Sequence, residues 1–254
     1  MTGRLTVIGI GPGNPDQLTP EARRAIDEAT DLYGYAGYLK RLSPGDGQHL
    51  HISDNREEMD RAVAALEKAG AGVRVAVVSG GDPGVFAMAA AICEAVEHGP
   101  PAWRAIDIEI VPGVTAMLAV AARAGAPLGH DFCAISLSDN LKPWELIVDR
   151  LKAAAGAGFV IALYNPVSRA RPWQLGKALE CLRGILPASS PVIFGRAAGR
   201  SDERILVQPL GEADANNADM ATCVIIGSPA TRTIERDGRS PLVYSPRSAM
   251  EATR

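Results

Sequence analysis

No run of 18 apolar residues occurs in this sequence. The longest candidate, Ala153 to Tyr164, holds two glycines and stops at Asn165-Pro166. That is too short for the roughly 20 residues a membrane-spanning helix needs. A secretory leader is not expected either. The apolar stretch Leu5 to Ile10 is too short for its central region, and Gly11-Pro12-Gly13-Asn14-Pro15 breaks it. Cysteine is scarce. Cys93, Cys133, Cys181 and Cys223 stand far apart, with no Cys-x-x-Cys pair. A disulfide framework or zinc site wants tighter spacing, so four reduced, mostly buried thiols in a cytoplasmic protein are expected. There is no tract of like charge and the net charge is −3, which excludes a nucleic-acid footprint. No short repeat and no low-complexity segment is present.

What is there is an ordinary globular composition, 47% apolar and 22% charged over 254 residues. That is too apolar for intrinsic disorder and long enough for one large or two small domains. Short apolar runs alternate with helical patterns. Leu5 to Ile10 reads as a strand. Thr19-Pro20-Glu21 opens a helix with a hydroxyl cap, a proline at the first helical position and an early acid. Asn55 to Gly70 reads as a helix, with Asn55 and Glu58 at capping-box spacing and Met59, Val63 and Leu66 as its stripe. Val73 to Val78 is a β-branched, buried strand. Val85, Ala89, Ile92, Cys93 and Val96 repeat at helical spacing, and Ile106 to Val111 follows as a strand. This rhythm predicts a mostly parallel sheet with helices on its faces.

Val111-Pro112-Gly113 breaks the pattern and lets the chain turn. The second half resumes it. Helices are expected over Thr115–Arg123, from Pro143 (Trp144, Ile147, Val148 and Leu151 on one face) and near Trp173–Leu182. Strands are expected at Phe132–Leu137, Phe159–Tyr164, Val192–Phe194, Arg204–Val207 and Thr222–Ile226. The organisation is an α/β domain over 1–111, a second over 112–243 and a loose tail over 244–254.

Two glycine-rich loops follow strands. In Gly9-Ile10-Gly11-Pro12-Gly13-Asn14 a dinucleotide fingerprint would need glycine at Asn14 and an earlier helix start. A P-loop would need Gly-Lys-Ser/Thr. The G-x-G-x-G of common nucleotide-fold methyltransferases is matched, with Pro12 stiffening its centre, and a plain turn stays open. Ser79-Gly80-Gly81-Asp82-Pro83-Gly84-Val85-Phe86 lies beyond the carboxyl end of a strand, where ligands bind in α/β sheets. There Asp82 is either a fixed carboxylate beside a ligand or a helix cap followed by Pro83.

Val7-Ile8-Gly9-Ile10-Gly11-Pro12-Gly13 with Leu18-Thr19, then Gly80-Gly81-Asp82-Pro83, then Val111-Pro112-Gly113-Val114-Thr115-Ala116, resembles the tetrapyrrole (corrin/porphyrin) methylase family in motif order and spacing. The resemblance runs to about Val243. It implies two α/β domains with parallel and mixed sheets, and S-adenosylmethionine in the cleft between them. By motif match it implies cofactor contacts at Pro12, at Gly80, Gly81, Asp82 and Val85, and at Thr115 and Ala116. Asn165 is implied as a mid-domain contact, and a late one falls near Ala197 or Thr222. Thr115 also suits a helix cap. Tyr33-Gly34-Tyr35, Ser53-Asp54-Asn55-Arg56-Glu57-Glu58, Ser136-Leu137-Ser138-Asp139 and Leu163-Tyr164-Asn165-Pro166 are similar to members that methylate precorrin-3B. The implied reaction is methylation at ring carbon 17 with contraction of the macrocycle to precorrin-4, in cobalamin synthesis. The resemblance also implies a homodimer. Other corrin or porphyrin positions, diphthine synthesis, a nicotinamide oxidoreductase and a non-catalytic nucleotide-binding regulator are the alternatives.

Methyl transfer from a sulfonium needs positioning more than acid–base help. Ring contraction can use a general acid or base, for which Asp139, Lys142 and His130 are candidates. A polycarboxylate substrate suits arginine. Of 21 Arg against 5 Lys, Arg169, Arg171, Arg196, Arg200 and Arg204 cluster in second-half loops. His49 and His51 alternate on a short strand, either as two metal ligands or as its polar face; no third ligand stands at a fitting spacing, so no metal is expected.

Overall fold

A computed structural model describes residues 3–54 and 57–248. The chain forms two compact units, dividing between Thr115 and Ala116.

The first unit runs β1 (Arg4–Gly9), α1 (Pro20–Glu28), β2 (Asp31–Tyr35), α2 (Ala36–Leu39), β3 (His49–Ser53), α3 (Glu58–Gly70), β4 (Arg74–Ser79), α4 (Met88–His98) and β5 (Asp107–Val111). Its sheet has the order β3-β2-β4-β1-β5 and every pair is parallel. Both faces are covered, which is why β1 and β4 read as unbroken apolar runs. Leu5, Val7, Val75 and Val77 pack on α3 and α4. Ile8, Leu32, Ala76 and Val78 pack on α1. The α1 start is as expected: the Thr19 hydroxyl accepts from the Ala22 N–H at 3.0 Å.

Helix α3 is rotated from its expected stripe. Ala62, Ala65, Leu66 and Ala69 are buried, while Met59 is 44% exposed. Small alanines let the helix lie close to the sheet and to α4, so side-chain size misreports the buried face. Asn55, and with it the expected capping pair, lies outside the described residues. Helix α4 starts at Met88, so Val85 precedes it and Cys93 is exposed. All four thiols are free, but only Cys223 is buried. Burial pushes the Cys223 thiol up to about 12.

The second unit runs α5 (Ala116–Ala124), β6 (Gly125–Ala126), β7 (Phe132–Ser136), α6 (Trp144–Gly156), β8 (Val160–Tyr164), α7 (Gln174–Arg183), β9 (Pro191–Arg196), β10 (Arg204–Pro209), β11 (Thr222–Ile226), β12 (Arg232–Arg236) and β13 (Arg239–Tyr244). The main sheet, β10-β9-β11-β8-β7, is mixed: only β7 and β8 pair in parallel. The β–α–β rhythm holds for β7-α6-β8 and β8-α7-β9. Strand β11 then inserts antiparallel between β8 and β9. Strands β10 and β11 arrive without a crossover helix, which parallel neighbours would need. Helices α6 and α7 cover one face through Ile147, Leu151, Leu175 and Leu179. On the other face α5 comes so close that a Cβ at Gly195 would lie 2.2 Å from Val120.

Strands β12 and β13 form a hairpin extended by β6. The tail expected from residue 244 is held at its start: the Ser245 hydroxyl donates to the Pro127 carbonyl at 2.6 Å. Residues 249–254 lie outside the described residues.

Candidate functional site

Three of the expected contact segments meet at one end of the first sheet. Gly9 pairs with Ser79 and Ile8 with Val111, so β1, β4 and β5 release their loops side by side. Gly11 and Gly81 exchange backbone hydrogen bonds at 3.1 and 2.9 Å. Both have left-handed backbone, φ 69° and 68°, which glycine adopts without strain. A Cβ on Gly113 would stand 2.3 Å from the Gly81 carbonyl oxygen, and one on Gly9 would stand 2.6 Å from it. Glycine is required here by the closeness of three backbones.

Asp82 ties the loops together. One carboxylate oxygen accepts from the Gly84 N–H at 2.8 Å and the other from the Gly113 N–H at 3.1 Å. Of the two readings of Asp82, the helix cap does not hold, because α4 starts only at Met88 and Asp82 instead bridges two loops. Pro12 and Thr115 are buried, and Gly80, Gly81, Asp82 and Val85 are half-buried. Asn14, which breaks the dinucleotide fingerprint, accepts from the Asp16 N–H at 3.0 Å and starts a short 3-10 turn.

Sequence reasoning passed over Arg41 and Tyr38, which brace these loops, and Arg61, which braces the segment after β3 against the start of α4. Arg41 donates to the Gly11 carbonyl at 3.0 Å. Tyr38 fills the space a Gly80 Cβ would need, 2.6 Å away. Arg61, 5% exposed, donates to Ser53 Oγ at 2.7 Å and the Asp54 carbonyl at 2.6 Å, with Met88 Sδ at 3.2 Å. A buried arginine on a helix face carries no apolar periodicity, so no pattern signals it.

The remaining expected contacts lie at one end of the second unit's main sheet. Asn165 follows β8, Ala197 follows β9, and Thr222 opens antiparallel β11 opposite Arg196. Asn165 and Ala197 have φ of 51° and 49°. With Phe86, at 53°, they are the positive-φ non-glycine residues among those described. Strain of this kind persists where the surroundings over-determine the backbone. Asn165 Nδ2 donates to Ser136 Oγ at 2.9 Å. The Ala197 N–H donates to the Ala221 carbonyl at 2.9 Å. Thr222 is buried and its hydroxyl bonds Asp219 at 2.9 Å. Ala116 begins α5, whose next residue, Met117, donates its N–H to the Tyr164 hydroxyl at 3.0 Å.

The acid–base candidates separate. Asp139 and Lys142 follow β7 and share the end that carries Asn165. His130 precedes β7 and so lies at the opposite end of the sheet. Its Nδ1 accepts from the Asp131 N–H at 2.7 Å. Asp139 accepts from Gln174 Nε2 at 2.9 Å and faces Arg171 Nε at 3.2 Å. Burial, and then the Arg150 charge, holds the Lys142 ammonium below the usual lysine value. Arg196 is engaged by Asp202 at 2.6 Å and Asp219 at 2.7 Å.

No metal-holding group of three ligands occurs among the described residues. His51 stacks on Tyr33 at 4.1 Å, and its Nε2 lies 2.7 Å from Asp31 Oδ1. Burial alone would raise the Asp31 carboxyl. The hydrogen bonds to His51 and Thr30 and the Lys68 charge outweigh it, holding the group below the ordinary value. No described helix is long and apolar enough to cross a membrane.

Residues 4–214 match the sequence model of the Tetrapyrrole (Corrin/Porphyrin) Methylases. The chain belongs to the tetrapyrrole methylase family. A precorrin-3B C(17)-methyltransferase from a Sinorhizobium species is 69% identical over 247 residues, 97% of each chain. A probable cobalt-factor III C(17)-methyltransferase from Salmonella typhimurium is 42% identical over 231 residues, covering 89% of this chain and 93% of that one. Among solved structures, the methyltransferase CobJ superposes with a TM-score of 0.91 at 51% identity, covering 96% of this chain and all of that one. The α/β fold with one parallel and one mixed sheet is thus that of the tetrapyrrole methylases.

Proposed function

We propose that this methylase transfers a methyl group from S-adenosylmethionine to ring carbon 17 of precorrin-3B, with contraction of the macrocycle to precorrin-4. One observation carries the reading: identity of 69% to a precorrin-3B C(17)-methyltransferase over 97% of both chains. The lower identity, 42%, to a cobalt-factor III enzyme favours the metal-free substrate.

The residues fit the cofactor. In the first unit, half-buried Gly80 and Gly81 and the buried Thr115 lie on loops that leave the same end of the sheet. In the second, Asn165 and Ala197 hold strained backbone next to the buried Thr222. S-adenosylmethionine, when bound, supplies an electrophilic methyl group. The work of the chain is then to hold donor and acceptor in line, an effect worth roughly 7–11 kcal/mol. No side chain is needed as base for that step. Asp82 sets the loop geometry through its two amide bonds. Contraction moves a carbon–carbon bond and can draw on a proton donor or acceptor. Asp139 and Lys142 are the groups proposed for that role. The reading also takes the protein as a homodimer in the cytoplasm, as the resemblance implies.

The test is incubation of the purified protein with precorrin-3B and S-adenosylmethionine, followed by mass and absorbance of the tetrapyrrole. One added methyl with a changed chromophore is expected. An unchanged macrocycle, in the presence of demonstrated cofactor binding, would overturn the carbon-17 assignment. Sedimentation of the same sample tests the dimer.

A further inference from the structure

We infer that the loops 138–142 and 168–173 of the second unit form a recognition site for carboxylate groups on a planar apolar macrocycle. Arg169 and Arg171 meet the carboxylates, and Leu141 with Trp173 forms the apolar wall. The identity of the macrocycle rests on the methylation reading above; the site itself rests on the following geometry.

The two loops are tied into one body. Arg171 donates from Nη1 to Asn140 Oδ1, and Gln174 Nε2 donates to Asp139 at 2.9 Å. Trp144 and Trp173 meet edge to face at 4.8 Å and 76°. Residues 168 and 171 exchange backbone bonds at 3.2 and 3.0 Å, closing a tight turn with exposed Arg169 at its tip. The loops follow β7 and β8, at the sheet end that carries Asn165.

That turn is electrostatically unfinished. Arg171 Nε lies 3.2 Å from Asp139 Oδ1, yet its N–H is not aimed at that oxygen and has no acceptor. The buried Ser168 hydroxyl also has no partner. Of the four such side-chain atoms among the described residues, two sit in this one turn. Buried polar groups are nearly always paired, so a pair of exceptions in four residues calls for a reason. A ligand carboxylate supplies one. It takes the planar arginine fork in the two-bond geometry that carboxylates favour. Asp139, displaced, keeps its bond from Gln174 and is not stranded. Burial, and then the Arg150 charge, holds the Lys142 ammonium of this loop below the usual lysine value.

The apolar part is equally unfinished. Leu141 is 93% exposed and Trp173 is 43% exposed. Isolated exposed apolar side chains are normal. Here the two stand on loops locked to each other, next to the arginines, which matches a ring with a carboxylate rim.

The experiment uses the full chain and two probes, uroporphyrin III and its octamethyl ester, read by quenching of tryptophan emission with Trp173→Phe as the site control. Calorimetry with S-adenosylhomocysteine runs in parallel. The free acid is expected to bind more tightly than the ester. Arg171→Gln and Arg169→Gln are each expected to weaken the acid about tenfold or more, with Arg171→Lys recovering only part. Cofactor-product binding stays unchanged in both, and the unfolding midpoint stays unchanged in Arg169→Gln, as both do for the control Arg236→Gln on the β12–β13 hairpin. Arg169 is exposed, so its variant remains informative if Arg171→Gln fails to fold. Equal binding of acid and ester, no binding of the acid, or unaltered affinity in Arg169→Gln would overturn the inference. Failure to bind S-adenosylhomocysteine would instead sink the methylation reading.

Discussion

In the first unit the candidate site is framed mainly by glycine backbones packed on one another, and in the second mainly by side-chain contacts. Three loops of the first unit approach until a single added carbon at Gly113 or Gly9 would overlap the Gly81 carbonyl. The second unit holds its loops through Ser136–Asn165, Asp139–Gln174 and Arg196–Asp219 contacts and tolerates strained non-glycine backbone at Asn165 and Ala197. The sheets differ in the same sense. Parallel β1, β4 and β5 send all their carboxyl ends to one side, so three loops must share that space. The mixed sheet of the second unit interleaves strand starts with strand ends, leaving room for side chains. A backbone-built site can vary little in sequence without collapsing. A side-chain-built site can change what it recognises while keeping its frame.

The sharpest way to break this contrast is Gly113→Ala. The new Cβ meets backbone atoms that cannot rotate away, and a destabilisation of about 3 kcal/mol or more is expected, with loss of S-adenosylhomocysteine binding. Urea unfolding and calorimetry measure both. A near-neutral result would mean the loops are looser than their spacing shows.

Asp31→Asn probes a side-chain network placed inside the backbone-built unit. Asp31 is 5% exposed as a side chain, while its partners His51 and Lys68 are 35% and 43% exposed. The loss is expected near 2 kcal/mol, below that of a fully buried pair because the partners reach water. Since the folded carboxyl lies below its unfolded value, its contribution is complete above about pH 4. It fades as pH falls through the folded value. Acid unfolding of the wild type, compared with the variant, should converge at low pH and separate above it.

The smallest effect separates conformation from chemistry at Asn165. Asn165→Leu keeps φ positive without a side chain suited to it and should cost about 1 kcal/mol. Asn165→Gly should stay within about 0.5 kcal/mol of wild type, relief of strain offsetting the lost bond to Ser136. If glycine proves as harmful as leucine, the carboxamide and not the backbone sets this corner.

Much of the first unit was legible because its signals are local. Buried parallel strands announce themselves as β-branched runs, and Thr19-Pro20-Glu21 marks a helix start. Strand β2 was missed because Gly34 interrupts its short run and a helical turn follows at once at Ala36. The β12–β13 hairpin was missed because all of β12 is exposed and carries no alternation. The rotated α3 shows that burial follows the fit of small residues and not apolarity alone. Of the candidate site, the glycine loops were readable as motifs. Arg41 and Tyr38 were not, since their partners are distant in sequence, and Arg61 was not, since a buried arginine leaves no apolar periodicity.

By itself the sequence determined most of the strands and helices that build the two main sheets, which glycines punctuate them, and the resemblance that names the family. Those follow from periodicity, dihedral freedom and motif spacing, all carried by neighbouring residues. Only the tertiary structure decided that β11 slots between β8 and β9, that Asp82 bonds Gly84 and Gly113, that His130 stands at the far end from Asp139, and that Ser168 and Arg171 are left with unpaired buried atoms. Each of these depends on which distant strands become neighbours and in which direction they run. That choice belongs to the packing of the whole unit, where no local pattern reaches.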